Sequence, residues 1–238
     1  MITERQIEYA HNGTTLQGFL AYDDSKSGPM PAIIVSHAWG GKSEFECDKA
    51  RALAKLGYVG FALDVYGKGV LGSGPEENTK LIQPFFEDRE LLQARLTASL
   101  DTLLSIPEVD STRIAAMGYC FGGLCVLDLA RIGTDIRGVI SIHGMFGPPG
   151  NTDGSVIKAK VLCLHGHDDP MAPVDTVVAL ENELTEAKAD WQIHVYGNTM
   201  HAFTNPLAND IERGTVYDEN ADKRAWISTK NFLEEVLS

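Results

Sequence analysis

What the chain has little of narrows the question first. No apolar run approaches the roughly 18 residues that a membrane-spanning helix needs. Met1 to Ala10 carries Glu4, Arg5 and Glu8 in place of the apolar core of an export signal. Positive charge is scarce: 20 Lys and Arg stand against 33 Asp and Glu, a net charge of −13. Such a balance repels phosphate backbones and anionic lipid, so neither nucleic acid nor membrane is an expected partner. Only four cysteines are present (Cys47, Cys120, Cys125 and Cys163), with no CxxC pair, which excludes a disulfide framework and fits a reducing, cytoplasmic setting. There is no H-E-x-x-H helix, and His143, His165 and His167 lack metal-ligand spacing, so no metal is expected. Gly67–Asn78 is glycine-rich but has no G-x-x-x-x-G-K order, so no nucleotide cofactor is expected either. Repeats, low-complexity tracts and a linker are also missing, and a single domain over 1–238 is expected.

What remains is an ordinary globular composition, 44% hydrophobic and 22% charged over 238 residues, long enough to bury a full core. The chain opens as a hairpin, Arg5–Ala10 and Thr14–Tyr22, turned by Asn12-Gly13, two residues that tolerate positive φ. Beyond Gly28-Pro29 the pattern changes. Short apolar runs at Ala32–Ser36, Val59–Asp64, Ile114–Gly118, Gly138–Ile142, Val161–His165 and Gln192–Tyr196 read as strands. Helical stretches separate them: Glu44–Leu56, a long helix within Leu81–Ser105, Gly122–Ile132, Val174–Ala187 and Ala221–Leu237. Continuous apolar strands alternating with helices predict a mostly parallel sheet of about eight strands, covered by helices on both faces and edged by the antiparallel hairpin. In such sheets the ligand crevice lies at the C-terminal ends of the strands. Two glycine-rich loops leave such ends, Gly67–Asn78 and Gly144–Ser155, and are lid candidates.

One of those strand ends carries chemistry. Gly118-Tyr119-Cys120-Phe121-Gly122 follows a strand and opens a helix, which is the G-x-S-x-G nucleophile elbow with cysteine in the serine position. A helix N-terminus beneath the side chain favours the thiolate, and the N–H of Phe121 is aimed at a developing oxyanion. An activated nucleophile needs a base, and the base an orienting acid. Downstream, Leu164–Pro170 (LHGHDDP) and Met200–Phe203 (MHAF) supply acid and histidine in the nucleophile–acid–histidine order of this architecture, each about one βα unit apart.

GYCFGG, HGHDDPMAP and HAF resemble the dienelactone hydrolase family of the α/β-hydrolase fold, and the similarity runs from Pro31–Gly41 to the C-terminal helix. The resemblance implies Cys120 as nucleophile, Asp169 as acid and His201 as base. Asp169 is preferred to Asp168 because the family's acid lies four residues before a proline, here Pro173. By the same alignment the N–H of Ala38 joins that of Phe121 in the oxyanion hole, and His37, Trp39, Tyr66 and Asn205 fall at substrate-binding positions. Two of these depart from the family pattern: His37 replaces a glutamate that helps activate the cysteine, and Asn205 replaces an arginine that holds a substrate carboxylate. The implied activity is cofactor-free hydrolysis of a small ester or lactone, by a monomer or small homo-oligomer. Two other readings stay open: a catalytically inactive fold that binds or senses a ligand, and a thiol-based redox sensor built on Cys120.

Overall fold

The computed structural model describes residues 1–152 and 154–238. In chain order the elements are β1 (Ile2–His11), β2 (Thr14–Asp23), β3 (Met30–Ser36), α1 (Glu44–Lys55), β4 (Val59–Ala62), α2 (Pro75–Glu87), α3 (Arg89–Leu104) and β5 (Val109–Tyr119). They continue with α4 (Phe121–Arg131), β6 (Gly138–Ile142), β7 (Lys160–Gly166), α5 (Val174–Glu186), β8 (Trp191–Tyr196), β9 (Asn209–Asp210), β10 (Thr215–Val216) and α6 (Glu219–Leu237). Eight of the strands form one mixed, mostly parallel sheet, and β9 and β10 form a separate ribbon. The predicted α/β architecture with an antiparallel hairpin is what the chain adopts. The described residues group into two compact units, Met1–Ala116 and Met117–Ser238.

In the first unit the strands run in the order β1-β2-β4-β3-β5. β1 pairs antiparallel with β2 around Asn12-Gly13, both in left-handed backbone (φ 46° and 78°). β2 joins β4 antiparallel, and β4 lies parallel to β3. The apolar runs explain the interior position of β3 and β4: every residue of β4, and all but Pro31 of β3, is buried. β1 is the edge, and its exposed Glu4, Arg5 and Glu8 discourage pairing with another chain. α1 begins with a full capping box: Ser43 caps the helix, and Glu46 reaches back to the Ser43 N–H at 2.8 Å.

The long helix expected within Leu81–Ser105 is in fact two, and the first starts earlier. α2 opens at Pro75, inside the stretch read as the Gly67–Asn78 loop, because a proline suits the first turn of a helix. Pro84 then withdraws one helical N–H, and the chain leaves helical geometry at Asp88 (φ −128°, ψ 90°). The Asp88 side chain accepts from Leu91 N–H at 2.9 Å and so caps the new helix. Each half buries one side, Ile82 and Phe85 in α2 and Leu92, Leu96, Leu100 and Leu103 in α3, so the apolar spacing does not mark the break.

The second unit holds the parallel strands β6-β7-β8 and the end of β5. β6 is wholly buried and β7 nearly so, whereas β8 alternates between partly buried and exposed residues as an edge strand should. α4 is buried along its entire length, Arg131 included. The Arg131 guanidinium forks onto the Glu183 carboxylate at 2.7 and 2.8 Å and donates to the carbonyls of Phe146 and Gly147 at 2.8 and 3.2 Å. Those carbonyls open the second glycine-rich loop, so its base is pinned; Asp153, farther along, lies outside the described residues. A cavity of about 690 Å³ lies beside this loop, lined by Arg131, Phe146, Ile157, Leu180 and Glu183 among others.

Candidate active site

The turn from β5 into α4 is the tightest point of the second unit. Cys120 sits there at φ 56°, ψ −115°, a left-handed conformation that costs a non-glycine residue about 1–3 kcal/mol. The turn closes only because Gly118 lacks a side chain, since a Cβ there would stand 2.0 Å from the Gly122 carbonyl oxygen. Cys120 is partly exposed, and Phe121, fully buried, begins α4 and places its N–H at the positive end of the helix.

β7 and β8 bring up the acid and the histidine. Asp169 follows β7 on a turn closed by its own N–H to the Gly166 carbonyl at 3.2 Å. Its side chain is buried, whereas His167 and Asp168 point into solvent. Asp169 Oδ2 lies 2.8 Å from His201 Nδ1, and Oδ1 accepts the Met171 N–H at 2.8 Å. Of the two neighbouring aspartates, then, it is Asp169 that meets the histidine. His201 follows β8 on a turn held by the small ribbon: its N–H donates to the Gly214 carbonyl at 2.9 Å, and its carbonyl accepts from Val216 at 3.0 Å. Nothing in the sequence had marked this ribbon, whose strands are only two residues each.

Electrostatics complete the arrangement. Burial alone would push the His201 imidazole down, but the charge of the Cys120 sulfur and the hydrogen bond to Asp169 outweigh it, raising the pKa to about 10. On the side away from Asp169, Nε2 is sealed from solvent and makes no hydrogen bond of standard geometry, which leaves the Cys120 sulfur as the group acting on it. The raised pKa favours the charged ring beside the Asp169 carboxylate at neutral pH. Because its folded pKa lies above the unfolded value near 6.5, its contribution to stability is complete below about pH 6.5 and is lost as pH rises through about 10. Thermal melts should accordingly show wild type losing more stability between pH 7 and 10.5 than His201→Ala does; equal losses would contradict the raised pKa.

His143, His165 and His167 each take a different role. His165 is buried against Phe146 at 5.3 Å, and burial lowers its pKa. His143, at the end of β6, is buried too, and its ring contacts that of His201 at 5.1 Å. No group of three metal-ligating side chains occurs among the described residues.

The remaining sequence candidates lie in the first unit, apart from Asn205. His37 is completely buried; its Nδ1 meets the Ala38 carbonyl at 2.7 Å, and its Nε2 accepts the Val65 N–H at 3.1 Å. Desolvation lowers its pKa, against the pull of the Glu46 charge. With both nitrogens on backbone, His37 braces its loop. Tyr66 is buried between His37 (4.7 Å) and Phe85 (5.6 Å), and its hydroxyl donates to the Trp39 carbonyl at 2.9 Å. The half-buried Trp39 is thereby fixed through its backbone. The Ala38 N–H, expected in the oxyanion hole, donates to Glu46 Oε1 at 3.2 Å. Glu46 escaped the sequence reading because its capping-box role hides a second bond from its other carboxylate oxygen. Asn205, in the turn after His201, uses its side-chain oxygen on the Leu207 N–H at 3.0 Å.

A strained cysteine elbow at the end of a central strand, with an Asp–His pair on the next strand ends, defines the α/β-hydrolase class. Within it, residues 16–237 match the dienelactone hydrolase family model, and the chain belongs to that family. A Caenorhabditis elegans protein without an assigned function is 38% identical over 150 residues, covering 62% of this chain and 95% of its own length. A Saccharolobus solfataricus protein named "Putative carboxymethylenebutenolidase" is 26% identical over 267 residues, covering 98% of this chain and 99% of its own. Among solved structures, the dienelactone hydrolase-like promiscuous phosphotriesterase P91, from metagenomic libraries, superposes with a TM-score of 0.94 at 34% identity, over 100% of this chain and 99% of its own.

Proposed function

We propose that the protein hydrolyses small, neutral carboxylic esters or lactones with Cys120 as nucleophile, His201 as acid and base, and Asp169 as orienting acid. The observation that carries this reading is the buried Asp169–His201 bond at 2.8 Å beside a cysteine in strained elbow geometry, whose sulfur raises the histidine's pKa. Family membership supports the same chemistry, and the naming of one relative as a carboxymethylenebutenolidase places lactones within the substrate class to be tested.

The steps follow from the charges. The Cys120 thiolate attacks the acyl carbon, and the carbonyl electron pair moves onto oxygen, where the Phe121 N–H receives it. Collapse of the tetrahedral intermediate breaks the C–O bond, and the His201 imidazolium gives its proton to the departing alkoxide. The neutral imidazole then takes a proton from water, whose hydroxide releases the acyl group from sulfur and regenerates the thiolate. Asp169 holds the Nδ1 proton throughout.

The charge distribution argues for a neutral acyl group. A substrate carboxylate needs a cationic, preferably bidentate partner. Asn205 has none to give, its side-chain oxygen being used on the Leu207 N–H. Against a panel of neutral esters, lactones, carboxylate-bearing lactones and a phosphotriester, wild type should favour the neutral acyl compounds. Asn205→Arg should shift the preference toward the acids, chiefly through KM. A higher kcat/KM for a carboxylate-bearing lactone than for its neutral methyl ester would refute the preference, and activity surviving in Cys120→Ala would refute the chemistry. The setting we propose is the cytoplasm, as a monomer or small homo-oligomer.

A further inference from the structure

His143 ends β6 in left-handed backbone (φ 38°), a conformation uncommon for any residue but glycine. The reason is visible at its two ring nitrogens. Nδ1 lies 3.2 Å from the backbone nitrogen of Cys120, and since a peptide N–H can only donate, Nδ1 must accept. The ring therefore carries its proton on Nε2, which donates to Thr204 Oγ1 at 2.8 Å. Thr204 is buried three residues beyond His201, in the same turn. The imidazole also packs edge-on against the rings of His201 (5.1 Å, 64°) and Phe203 (5.1 Å, 82°).

We infer that His143 is a positioning residue for the Cys120–His201 pair, tying the cysteine elbow to the histidine's turn through a Cys120 N–H···Nδ1 and Nε2–H···Thr204 bridge. The inference rests on the reading of Cys120 and His201 as nucleophile and base. Three features give it content. First, His201 Nε2 has no standard hydrogen bond of its own, so its aim at the sulfur is set by what holds the two turns: Asp169 on Nδ1 and His143 against the ring. Second, the Cys120 N–H also reaches the Ile142 carbonyl at 3.1 Å, so the elbow keeps a backbone bond without the imidazole; what the imidazole adds is orientation. Third, the Cys120 N–H occupies Nδ1, so the imidazole acts there as an acceptor.

The test uses His143→Phe, which keeps an aromatic ring and removes both hydrogen bonds, with Thr204→Val and Thr204→Ser. Two readouts are taken: steady-state hydrolysis of p-nitrophenyl acetate, and the rate of Cys120 alkylation by iodoacetamide against pH, with Cys120→Ala as background. His143→Phe should lower kcat by about tenfold or more with KM within about twofold, because small misplacements of reacting groups are costly in kcat. Its alkylation should slow at pH 7, with the acid limb of the profile moved upward. Thr204→Val should change both in the same direction but less, and Thr204→Ser should restore them. A wild-type kcat and alkylation profile in His143→Phe, a loss confined to KM, or a Thr204→Ser as impaired as Thr204→Val would each overturn the assignment. Should wild type release no more p-nitrophenol than Cys120→Ala, the hydrolase reading fails and the alkylation profiles alone decide the role of His143. If His143→Phe lacks a cooperative melt, the Thr204 pair decides it.

Discussion

Cys120→Ala is expected to abolish acyl transfer, by about 10⁴-fold or more, and to remove all rapid labelling of the folded protein by iodoacetamide near neutral pH. The reason is selective reactivity among four thiols. Cys120 is partly exposed at a helix N-terminus beside His201, whose pKa is raised. Cys47 and Cys163 are buried, and desolvation pushes their thiols up to about 11 and about 12, so neither offers thiolate at pH 7. Cys125 is buried within α4. Mass spectrometry of the alkylated protein reads this directly: one adduct, at Cys120, in wild type and none in the variant over the same period. Comparable labelling of all four cysteines in the native fold would remove the basis for an activated nucleophile. Rapid labelling with no ester turnover would instead favour the redox reading.

The second large effect separates His201 from Asp169. His201→Ala removes the group proposed to move protons between sulfur, leaving group and water, and should cost about as much as losing the nucleophile. Asp169→Asn keeps a side chain of the same shape but gives the imidazole the wrong partner on Nδ1, with an expected loss of about 10²- to 10⁴-fold. The double variant should be scarcely worse than His201→Ala, since an orienting group has nothing left to orient. Measured kcat/KM values for the four proteins close the cycle. Losses that multiply in the double variant would mean that the buried 2.8 Å contact is structural and that the two residues act separately.

Much of this architecture was legible in the sequence because its causes are short-ranged. A run such as Val59–Ala62 is apolar on both faces and can only be an interior strand of a covered sheet, which is where β4 lies. The cysteine elbow was equally readable, because glycine at 118 answers a steric demand a few residues long, the approach of the Gly122 carbonyl. Chain order then put Asp169 and His201 on successive strand ends, and β7 and β8, being parallel, carry them to the same edge.

Other features were invisible for a physical reason. The break at Asp88 depends on one side chain choosing to cap Leu91, which periodicity does not register. That His37 is enclosed, with both nitrogens on backbone, follows from tertiary packing. The ribbon that fixes His201 consists of strands too short to leave a pattern. His143 stands 23 residues from Cys120 and 61 from Thr204, so their bridge exists only once strand register and rotamers are set. Periodicity, turn chemistry and chain order are properties of neighbours along the chain, and they carry the sheet, the elbow and the order of the reactive groups. Which nitrogen meets which oxygen, which histidine is enclosed and which is poised against sulfur are properties of neighbours in space. Only the tertiary structure decided those, because a hydrogen bond depends on tenths of an ångström that no local pattern encodes.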